Sequence, residues 1–288
     1  MPLFGAHMSV AGGVHKAIES AVSHGCETVQ LFTKNSNQWA SKPLTPDIVE
    51  HFRSVVKEAG LRFTTAHDSY LINLASPDDA LYRRSIEAFT DEVQRAERLG
   101  LSYLVMHPGA PITSTEEVGL ARIVAALDEV HARCPDYRVQ VLLETTAGQG
   151  TTLGHKFEHL SAILTGVQQP ERLGVCFDTC HVFAAGYDIR TEAEYRATMR
   201  KFDQVIGLRW LKVFHLNDSL KMFGSRVDRH AGLGLGHIGL DAFRWIVNDQ
   251  RFRGKPMILE TPKENAQGEP MDPINLGILR GLVEEKNF

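Results

Sequence analysis

Residues 62–73 read RFTTAHDSYLIN, a short apolar run that stops at a histidine and continues into a loop-like segment. Seven further runs in the chain are similarly short and rich in β-branched, leucine and aromatic residues, a content typical of buried strands. In chain order the eight runs are LFGAHM, ETVQLFT, RFTTAH, SYLVMH, VQVLLET, RLGVCFD, LKVFHL and PMILET. Polar residues recur where these runs stop, so we expect functional side chains at the ends of the runs.

Longer segments between the runs have the period of amphipathic helices. In PDIVEHFRSVVKEAG, SIEAFTDEVQRAERLG and LARIVAALDEVHARC, apolar residues recur every three or four positions, and a glycine often follows. A strand followed by a helix, repeated eight times in 288 residues, predicts a single (β/α)₈ TIM barrel, although a doubly wound open sheet would show a similar pattern. No linker, charge block or repeat separates a second domain, so we expect residues 1–288 to form one domain.

The composition argues against several classes of protein. With 43% hydrophobic and 23% charged residues the chain is typical of a globular protein, and no segment approaches the ~20 apolar residues of a membrane span. The first residues lack a secretory leader pattern and the four cysteines form no C-x-x-C pair, so we expect a cytoplasmic protein with reduced thiols and no membrane partner. The stretches AGQGTTLG and AGLGLGHIG match no phosphate-binding motif, which argues against a nucleotide cofactor.

Six of the apolar runs end at a side chain that can bind a metal. In a TIM barrel these ends meet at the C-terminal face, where active sites of this fold lie. Three more candidates follow closely, because DTCH places a histidine one turn after an aspartate and VDRH places two ligands on one side of an extended segment. The nine candidates are His67, His107, Glu144, Asp178, His181, His215, Asp228, His230 and Glu260.

Nine such side chains in one pocket predict bound metal ions. A single buried histidine is more often a hydrogen-bonded core residue, but this many imidazoles and carboxylates without a cation would cost on the order of several kcal/mol per desolvated charge. Imidazole and carboxylate ligands favour Zn²⁺, with Mn²⁺ or Fe²⁺ as alternatives, and Cys176 and Cys180 are predicted to be packing groups. Two or three metals ~3.5–4 Å apart are the arrangement that clamps both oxygens in a phosphoryl displacement.

Several longer stretches of the sequence are more specific than a barrel pattern. They are HDSYLIN, HPG, LLETTAGQGTTLGHKFEHL, FDTCHVFAAGYDIR, HLNDS, FGSRVDRHAGLGLGHIG and ILET. Together they resemble the endonuclease IV family of apurinic/apyrimidinic endonucleases, and the resemblance runs from GAHMSVAGG near the start to ILET near the end. It implies a barrel with three zinc ions that cuts double-stranded DNA 5′ to abasic sites, leaves a 3′-OH and also trims blocked 3′ ends. We expect a monomer.

The resemblance assigns the nine candidates to three zinc ions. One ion would take His67, His107 and Glu144. A second would share Glu144 and add Asp178, His215 and Glu260, and a third would take His181, Asp228 and His230. This ligand count leaves room for one hydroxide that bridges the first two ions and serves as the nucleophile. Glu144 is therefore the predicted catalytic residue, and Mn²⁺ is an alternative ion in one site.

Loop residues beyond the strands are the candidate DNA contacts. The resemblance implies that Tyr70 and Leu71 wedge into the duplex at the lesion, where unstacking costs least because a base is missing. Asn37 stands where some members of the family carry an arginine, so we expect weaker penetration of the lesion with catalysis unchanged. The net charge of −4 means that a polyanion must be attracted locally. The basic residues expected to contact phosphates are Lys34, Lys221, Arg226 and Arg229.

Two other functions compete with this interpretation. A metal-dependent sugar isomerase or epimerase with a similar barrel would use the same ligand types, but one or two metals would leave His181, Asp228 and His230 without a role. A non-catalytic protein that binds lesions would normally have lost ligands, whereas all nine are present in this sequence. Metal stoichiometry and cleavage of abasic DNA separate the three functions.

Overall fold

The computed structural model describes residues 1–284, and its centre is a closed barrel of eight parallel strands. The barrel strands are β1 (Leu3–Met8), β2 (Thr28–Phe32), β3 (Thr65–His67), β4 (Tyr103–Met106), β5 (Gln140–Glu144), β6 (Leu173–Asp178), β7 (Leu211–His215) and β10 (Pro256–Leu259), while β8 (Asp218–Ser219) and β9 (His230–Ala231) form a separate two-stranded sheet. The order around the barrel is β1-β10-β7-β6-β5-β4-β3-β2, so the first and last strands pair and close it. The predicted TIM barrel is confirmed, and each barrel strand lies within one of the eight apolar runs.

Helices surround the barrel. They are α1 (Val14–Ser23), α2 (Pro46–Ala59), α3 (Asp79–Leu99), α4 (Glu116–Arg133), α5 (Phe157–Gly166), α6 (Thr179–Ala185), α7 (Glu192–Val205), α8 (Leu240–Asn248) and α9 (Met271–Leu282), with short 3₁₀ turns at Pro170–Arg172, Leu208–Trp210 and Gln250–Phe252. The sequence pattern predicts a later start for α3, near Ser85. The side chain of Asp78 accepts a hydrogen bond from the backbone N–H of Leu81 at 2.7 Å, and this cap starts the helix at Asp79. Within residues 1–284, we find no helix with the length and apolar content of a membrane span.

The barrel interior contains a small apolar layer directly below the mouth. Its buried side chains are Val105, Leu142, Cys176, Val213 and Ile258. Side chains two residues apart on a strand point to the same face, so the residue two positions further along also faces inward, one layer higher. Those residues are His107, Glu144, Asp178, His215 and Glu260. Strand alternation therefore brings five of the nine predicted ligands to the mouth of the barrel.

The segment after β7 forms a small structure of its own at the mouth. β8 and β9 pair antiparallel, and the buried carboxylate of Asp218 accepts hydrogen bonds of 2.9 to 3.2 Å from backbone N–H groups within residues 234–238. A side chain at Gly236 would collide with this carboxylate, so the loop requires glycine there. His230 is the first residue of β9 and lies at the mouth, with its Nδ1 3.2 Å from the carbonyl oxygen of Glu260.

Candidate metal centre

Glu144 lies at the centre of the nine predicted ligands, which meet at the mouth of the barrel and are called the barrel-mouth cluster below. Its side chain is fully buried. One carboxylate oxygen, Oε2, lies 3.1 Å from Nε2 of His67 and 3.2 Å from Nε2 of His107. The other oxygen, Oε1, lies 2.9 Å from Nδ1 of His215. Glu144 therefore stands between His67 and His107 on one side and His215 on the other, where a bridging carboxylate would have to be.

A second group of side chains surrounds Nδ1 of His215. Oε2 of Glu260 lies 3.2 Å from this nitrogen, and Oδ2 of Asp178 lies 3.9 Å from it. Both oxygens of Asp178 are held, because Oδ1 accepts from the backbone N–H of His181 at 2.8 Å and Oδ2 accepts from the amide of Asn217 at 2.7 Å. Asp178 thus faces His215 and, as the N-cap of α6, also fixes the position of His181.

The third group contains His181, Asp228 and His230. Nε2 of His181 lies 3.1 Å from Oδ2 of Asp228, and Nε2 of His230 lies 3.4 Å from Oδ1 of the same carboxylate. The side chain of Asp228 is 38% exposed, which makes it the open side of the group. The structure therefore brings together each of the three ligand groups that the sequence predicts.

The hydrogen bonds of three histidines determine where their lone pairs point. In each of them Nδ1 lies close to a backbone carbonyl oxygen, which can only accept, so Nδ1 carries the proton. The pairs are His67 with Asp68 at 3.0 Å, His181 with Thr145 at 2.8 Å and His230 with Glu260 at 3.2 Å. In the neutral rings Nε2 then points a lone pair into the cluster, and the Nε2 atoms of His181 and His230 face each other at 3.4 Å. These contacts repel unless a cation lies between them, so the donor set fits divalent metal ions.

The charges of the cluster lead to the same conclusion. Within residues 1–284, the ion pairs formed by its four carboxylates are all with histidines, and none is with lysine or arginine. Burial alone would lower the pKa of His67, but the hydrogen bond and charge of Glu144 raise it to about 9. Burial would raise the pKa of Asp228, but the charge of His181 lowers it to about 2. Protons and metal ions compete for these lone pairs, so metal binding should release protons.

Two cysteines lie next to Asp178 in the sequence, and both are buried. Cys176 belongs to the apolar layer of the barrel interior, where its Sγ lies within 4.8 Å of a ligand atom of Glu144 and of His215. Burial raises the pKa of both the Cys176 and the Cys180 thiol to about 12. The neutral thiol is therefore favoured, in keeping with the packing role expected from the sequence.

Sequence reasoning misses three residues that support the cluster from outside. Gln30 of β2 contacts two of the candidate ligands, and Nδ1 of His7 lies 3.0 Å from the Gln30 amide. Asn217 joins the side chain of Asp178 to the backbone N–H of Glu260, at 2.7 and 2.8 Å. A polar residue inside an apolar run is the signal that could have identified the first two, since Gln30 interrupts ETVQLFT and His7 interrupts LFGAHM.

Lys34, which the sequence analysis expects to contact phosphate, is turned away from solvent. Its side chain is 1% exposed, and Nζ lies 2.8 Å from Oδ2 of Asp91 and 3.5 Å from Oε1 of Glu92. On the same helix, α3, Arg95 donates to the carbonyl oxygen of Thr33 at 2.6 Å. These contacts tie the start of the loop between β2 and α2 to α3. The prediction for Lys34 is therefore wrong, because acidic side chains of α3 already neutralise its charge.

The other predicted DNA contacts lie at the surface near the mouth. Tyr70 is 65% exposed, and its ring centre lies 5.9 Å from that of His67. Leu71 beside it is half-buried. The remaining candidates are all at least partly exposed: Asn37, Lys221, Arg226 and Arg229. Tyr70 can therefore touch a bound molecule while it stands next to the barrel-mouth cluster.

Comparison with known proteins gives matches over the whole barrel. Residues 18–280 match a family described as the xylose isomerase-like TIM barrel. The chain is 50% identical to a probable endonuclease 4 of Chloroflexus aurantiacus over 99% of both chains, and 50% identical to one of Trichlorobacter lovleyi over 96% of this chain and 98% of that one. The crystal structure of endonuclease IV from Thermus thermophilus matches with a TM-score of 0.85 and 34% identity over 98% of both chains. A D-tagatose 3-epimerase-like protein reaches a TM-score of 0.72 at 18% identity, over 97% of this chain and 96% of that one, which shows a shared fold alone.

The fold and its histidine and carboxylate mouth define the class first: a xylose isomerase-like TIM barrel with a candidate metal centre. The full-length relatives narrow the class further, because identity of this level extends over nearly the whole of both chains. The chain belongs to the endonuclease IV family, and the resemblance found in the sequence is confirmed.

Proposed function

We propose that this protein is a metal-dependent DNA repair endonuclease that cuts the phosphodiester bond on the 5′ side of abasic sites and leaves a 3′-OH. Membership of the endonuclease IV family supports a nuclease. The observation that carries the proposal is the third ligand group, in which donor atoms of His181, Asp228 and His230 lie 3.1 to 3.4 Å apart. A sugar isomerase or epimerase, which needs one or two metals, has no use for this group.

Three zinc ions are the proposed cofactors, with Mn²⁺ as an alternative in one site. Each of the three groups described above would hold one ion, and Glu144 would be shared between the first two. Zinc bound there would polarise a phosphodiester and make a water molecule more acidic. The support for this assignment is the set of inward-facing lone pairs, which repel one another without a cation.

Glu144 is the proposed catalytic residue. One of its oxygens faces His67 and His107, and the other faces His215, so the carboxylate can orient a water molecule from the middle of the cluster. Its pKa is held well below the ordinary value of a glutamate, because the charges of His215 and His107 outweigh the effect of burial. Glu144 therefore remains an anion that accepts hydrogen bonds throughout the neutral pH range.

Substrate recognition is proposed to depend on the rim of the mouth. Tyr70 and Leu71 would enter the gap left by the missing base, and Arg226 and Arg229 would contact phosphates, since all four lie on loops at the mouth. The metal ions would supply the local positive field that a chain of net charge −4 lacks. We further propose that the same site trims blocked 3′ ends and that the protein works as a monomeric, single-domain cytoplasmic enzyme.

A cleavage assay tests this function. A labelled duplex with one abasic analogue should be cut once, 5′ to the analogue, and the product should carry a 3′-OH that a DNA polymerase extends. A chelator should stop the reaction and added zinc should restore it, while an intact duplex of the same sequence stays uncut. If the abasic duplex also stays uncut, and the same preparation epimerises a ketohexose, the protein is a sugar epimerase instead.

A further inference from the structure

Gln30, in the middle of β2, is fully buried beside the barrel-mouth cluster. Its Oε1 lies 2.8 Å from Nε2 of His215. Its Nε2 lies 2.5 Å from Oε1 of Glu260 and 3.0 Å from Nδ1 of His7. One amide thus connects a candidate ligand at the end of β7 with another that directly follows β10.

The chemistry of Glu260 determines which way this amide points. An ionised carboxylate only accepts hydrogen bonds, so the NH₂ group of Gln30 must face it, because the reversed amide would bring two oxygens together. The carbonyl oxygen of Gln30 therefore faces His215, and Nε2 of His215 must carry the proton. In the neutral ring Nδ1 of His215 then has a lone pair that faces Oε1 of Glu144 at 2.9 Å and Oε2 of Glu260 at 3.2 Å, contacts that repel unless a cation lies between them.

His215 differs in this respect from three other histidines of the cluster. His67, His181 and His230 donate from Nδ1 to backbone carbonyl oxygens and present Nε2 inward. His215 donates from Nε2 to a side chain and presents Nδ1 inward. A backbone carbonyl cannot be removed by substitution, whereas Gln30 can, so the orientation of His215 depends on one replaceable residue.

We propose that Gln30 is a positioning residue of the metal centre, which fixes the tautomer of His215 and turns Glu260 so that their donor atoms face the same point. This inference rests on the metal centre of the proposed function. The amide acts through the two ligands and belongs to a strand that supplies none of the nine. Removing an outer hydrogen bond of this kind typically lowers metal affinity or activity about 10- to 100-fold.

The first test compares Gln30→Met with Gln140→Met. Gln140 is a matched control, because it lies at the start of β5 and its amide donates to the carbonyl oxygens of Glu171 and Leu173 at 2.9 and 2.8 Å. Zinc release to a chelator is measured without DNA. Gln30→Met should lose one ion about 10 to 100 times more readily than wild type, and the visible spectrum of its Co²⁺-loaded form should change. Gln140→Met should match wild type in both measurements.

A second measurement needs no variant, so it does not depend on whether Gln30→Met folds. Proton–nitrogen NMR of the zinc-loaded wild-type protein reports which ring nitrogen of each histidine carries a proton. His215 should be protonated at Nε2, and His67, His181 and His230 at Nδ1. A proton on Nδ1 of His215 would overturn the inference, as would zinc release from Gln30→Met at the wild-type rate.

These outcomes separate the inference from the proposed function. If wild type cuts abasic DNA and Gln30→Met holds its zinc as tightly as wild type does, the role proposed for Gln30 is wrong and the nuclease assignment is kept. If Gln30→Met loses zinc but wild type leaves abasic DNA intact, the role of Gln30 stands and the nuclease assignment is wrong.

Discussion

The Glu116 cluster, made of Glu116, His155, Lys156 and His159, has the same ligand types as the barrel-mouth cluster and also follows the ends of barrel strands. Ligand atoms of its glutamate and two histidines lie within 4.8 Å of one another, so distance alone would make it a metal site. The hydrogen bonds of His159 run the other way, whereas His155 resembles the histidines of the barrel mouth in having Nδ1 2.8 Å from a backbone carbonyl oxygen, that of Thr152. The backbone N–H of Gly154 donates to Nδ1 of His159 at 3.2 Å, so Nε2 carries the proton and donates to Glu116 at 3.1 Å.

Lys156 completes the difference between the two clusters. Its Nζ lies 2.7 Å from the same oxygen of Glu116, and this hydrogen bond lowers the pKa of Glu116. Burial lowers the pKa of His155 and of His159, whereas the carboxylates of the barrel-mouth cluster raise the pKa of several of its histidines. The Glu116 cluster supplies its own cation, Lys156, and the N–H of His159 also points at its carboxylate, so it needs no metal ion to balance the charge of Glu116. In the barrel-mouth cluster the neutral rings of four histidines direct lone pairs inward and, in the described part of the chain, no lysine or arginine is paired with its carboxylates, so a cation from outside is needed.

Metal removal should give the largest effect. Freshly purified protein should contain about two to three equivalents of transition metal, mainly zinc, and a chelator should abolish cleavage of abasic DNA. Asp228→Asn should lose about one equivalent, because Asp228 contacts both histidines of the third group. Glu116→Gln should lose none. Loss of an ion from Glu116→Gln in elemental analysis would break the comparison, and full activity with fewer than about two equivalents would refute three ions.

Glu144→Gln should have the next largest effect. The substitution keeps the volume of the side chain but removes the charge that faces both halves of the cluster, so the cleavage rate should fall by roughly 10² or more with binding of abasic duplex nearly unchanged. Glu116→Gln is the control from the second cluster and should cleave at close to the wild-type rate. Equal loss of rate in both variants would show that the two clusters do not differ in function.

Tyr70 sharpens the comparison at the level of recognition. Tyr70→Ala should reduce the preference for abasic over intact duplex by on the order of 1 to 3 kcal/mol, because a ring that fills the gap is lost. Asn37→Arg should strengthen duplex binding through added charge and a stacking plane, with turnover unchanged. Lys156→Met, at the Glu116 cluster, should leave the preference alone. Competition binding with the two duplexes measures the affinity and preference of all three variants, and a cleavage assay measures the turnover of Asn37→Arg. An unchanged preference in Tyr70→Ala would show that Tyr70 is not a wedge.

The smallest expected effect is on stability and concerns His131, which lies outside both clusters. It is buried in α4, and neither ring nitrogen has a hydrogen-bond partner within residues 1–284. Burial, with a smaller contribution from Arg172, lowers its pKa to about 4. The folded state therefore favours the neutral ring, so its contribution to stability is complete above the unfolded pKa of about 6.5 and is lost as the pH falls toward 4.

A substitution tests this pH dependence. His131→Leu removes the titrating group, so it should lessen the acid loss of stability between about pH 6.5 and 4 by about 1 to 2 kcal/mol, a value reduced for solvent screening. Urea unfolding at the two pH values measures the difference. A variant as sensitive to acid as wild type would assign the acid sensitivity to other groups, such as His155 and His159.

The barrel and its ligands could be predicted because both depend on strand periodicity. A polar residue at the end of an apolar run, such as Glu144 or His215, must reach the mouth once the runs close into a barrel. The same reasoning fails for Lys34, because its hydrogen-bond partner Asp91 lies 57 positions away on α3. No local sequence pattern reveals a contact between residues so far apart in the chain. The start of α3 was also hidden, since Asp78 lies outside the apolar stripe that marks the helix.

The two clusters show the further limit of sequence reasoning. GHKFEHL contains two histidines and a lysine, and its letters do not tell which nitrogen of His159 carries a proton. The position of that proton depends on a hydrogen bond from the backbone N–H of Gly154. Because almost every residue has a backbone N–H, the residue types do not reveal this contact. The role of Gln30 depends likewise on a contact with Glu260 that spans 230 positions.

The pairing of β1 with β10 has a consequence for how the protein is made. The ribosome completes Leu3 long before Pro256, its partner in the closed barrel, and at about 5–20 residues per second the delay is on the order of ten to fifty seconds. During that time the growing barrel has an open strand edge, which other chains can pair with. It also lacks Glu260, so Gln30 has no carboxylate to hold. A nascent chain thus lacks one of the nine candidate ligands until its last strand has emerged, and a chaperone that covers the open edge of β1 would act within this interval.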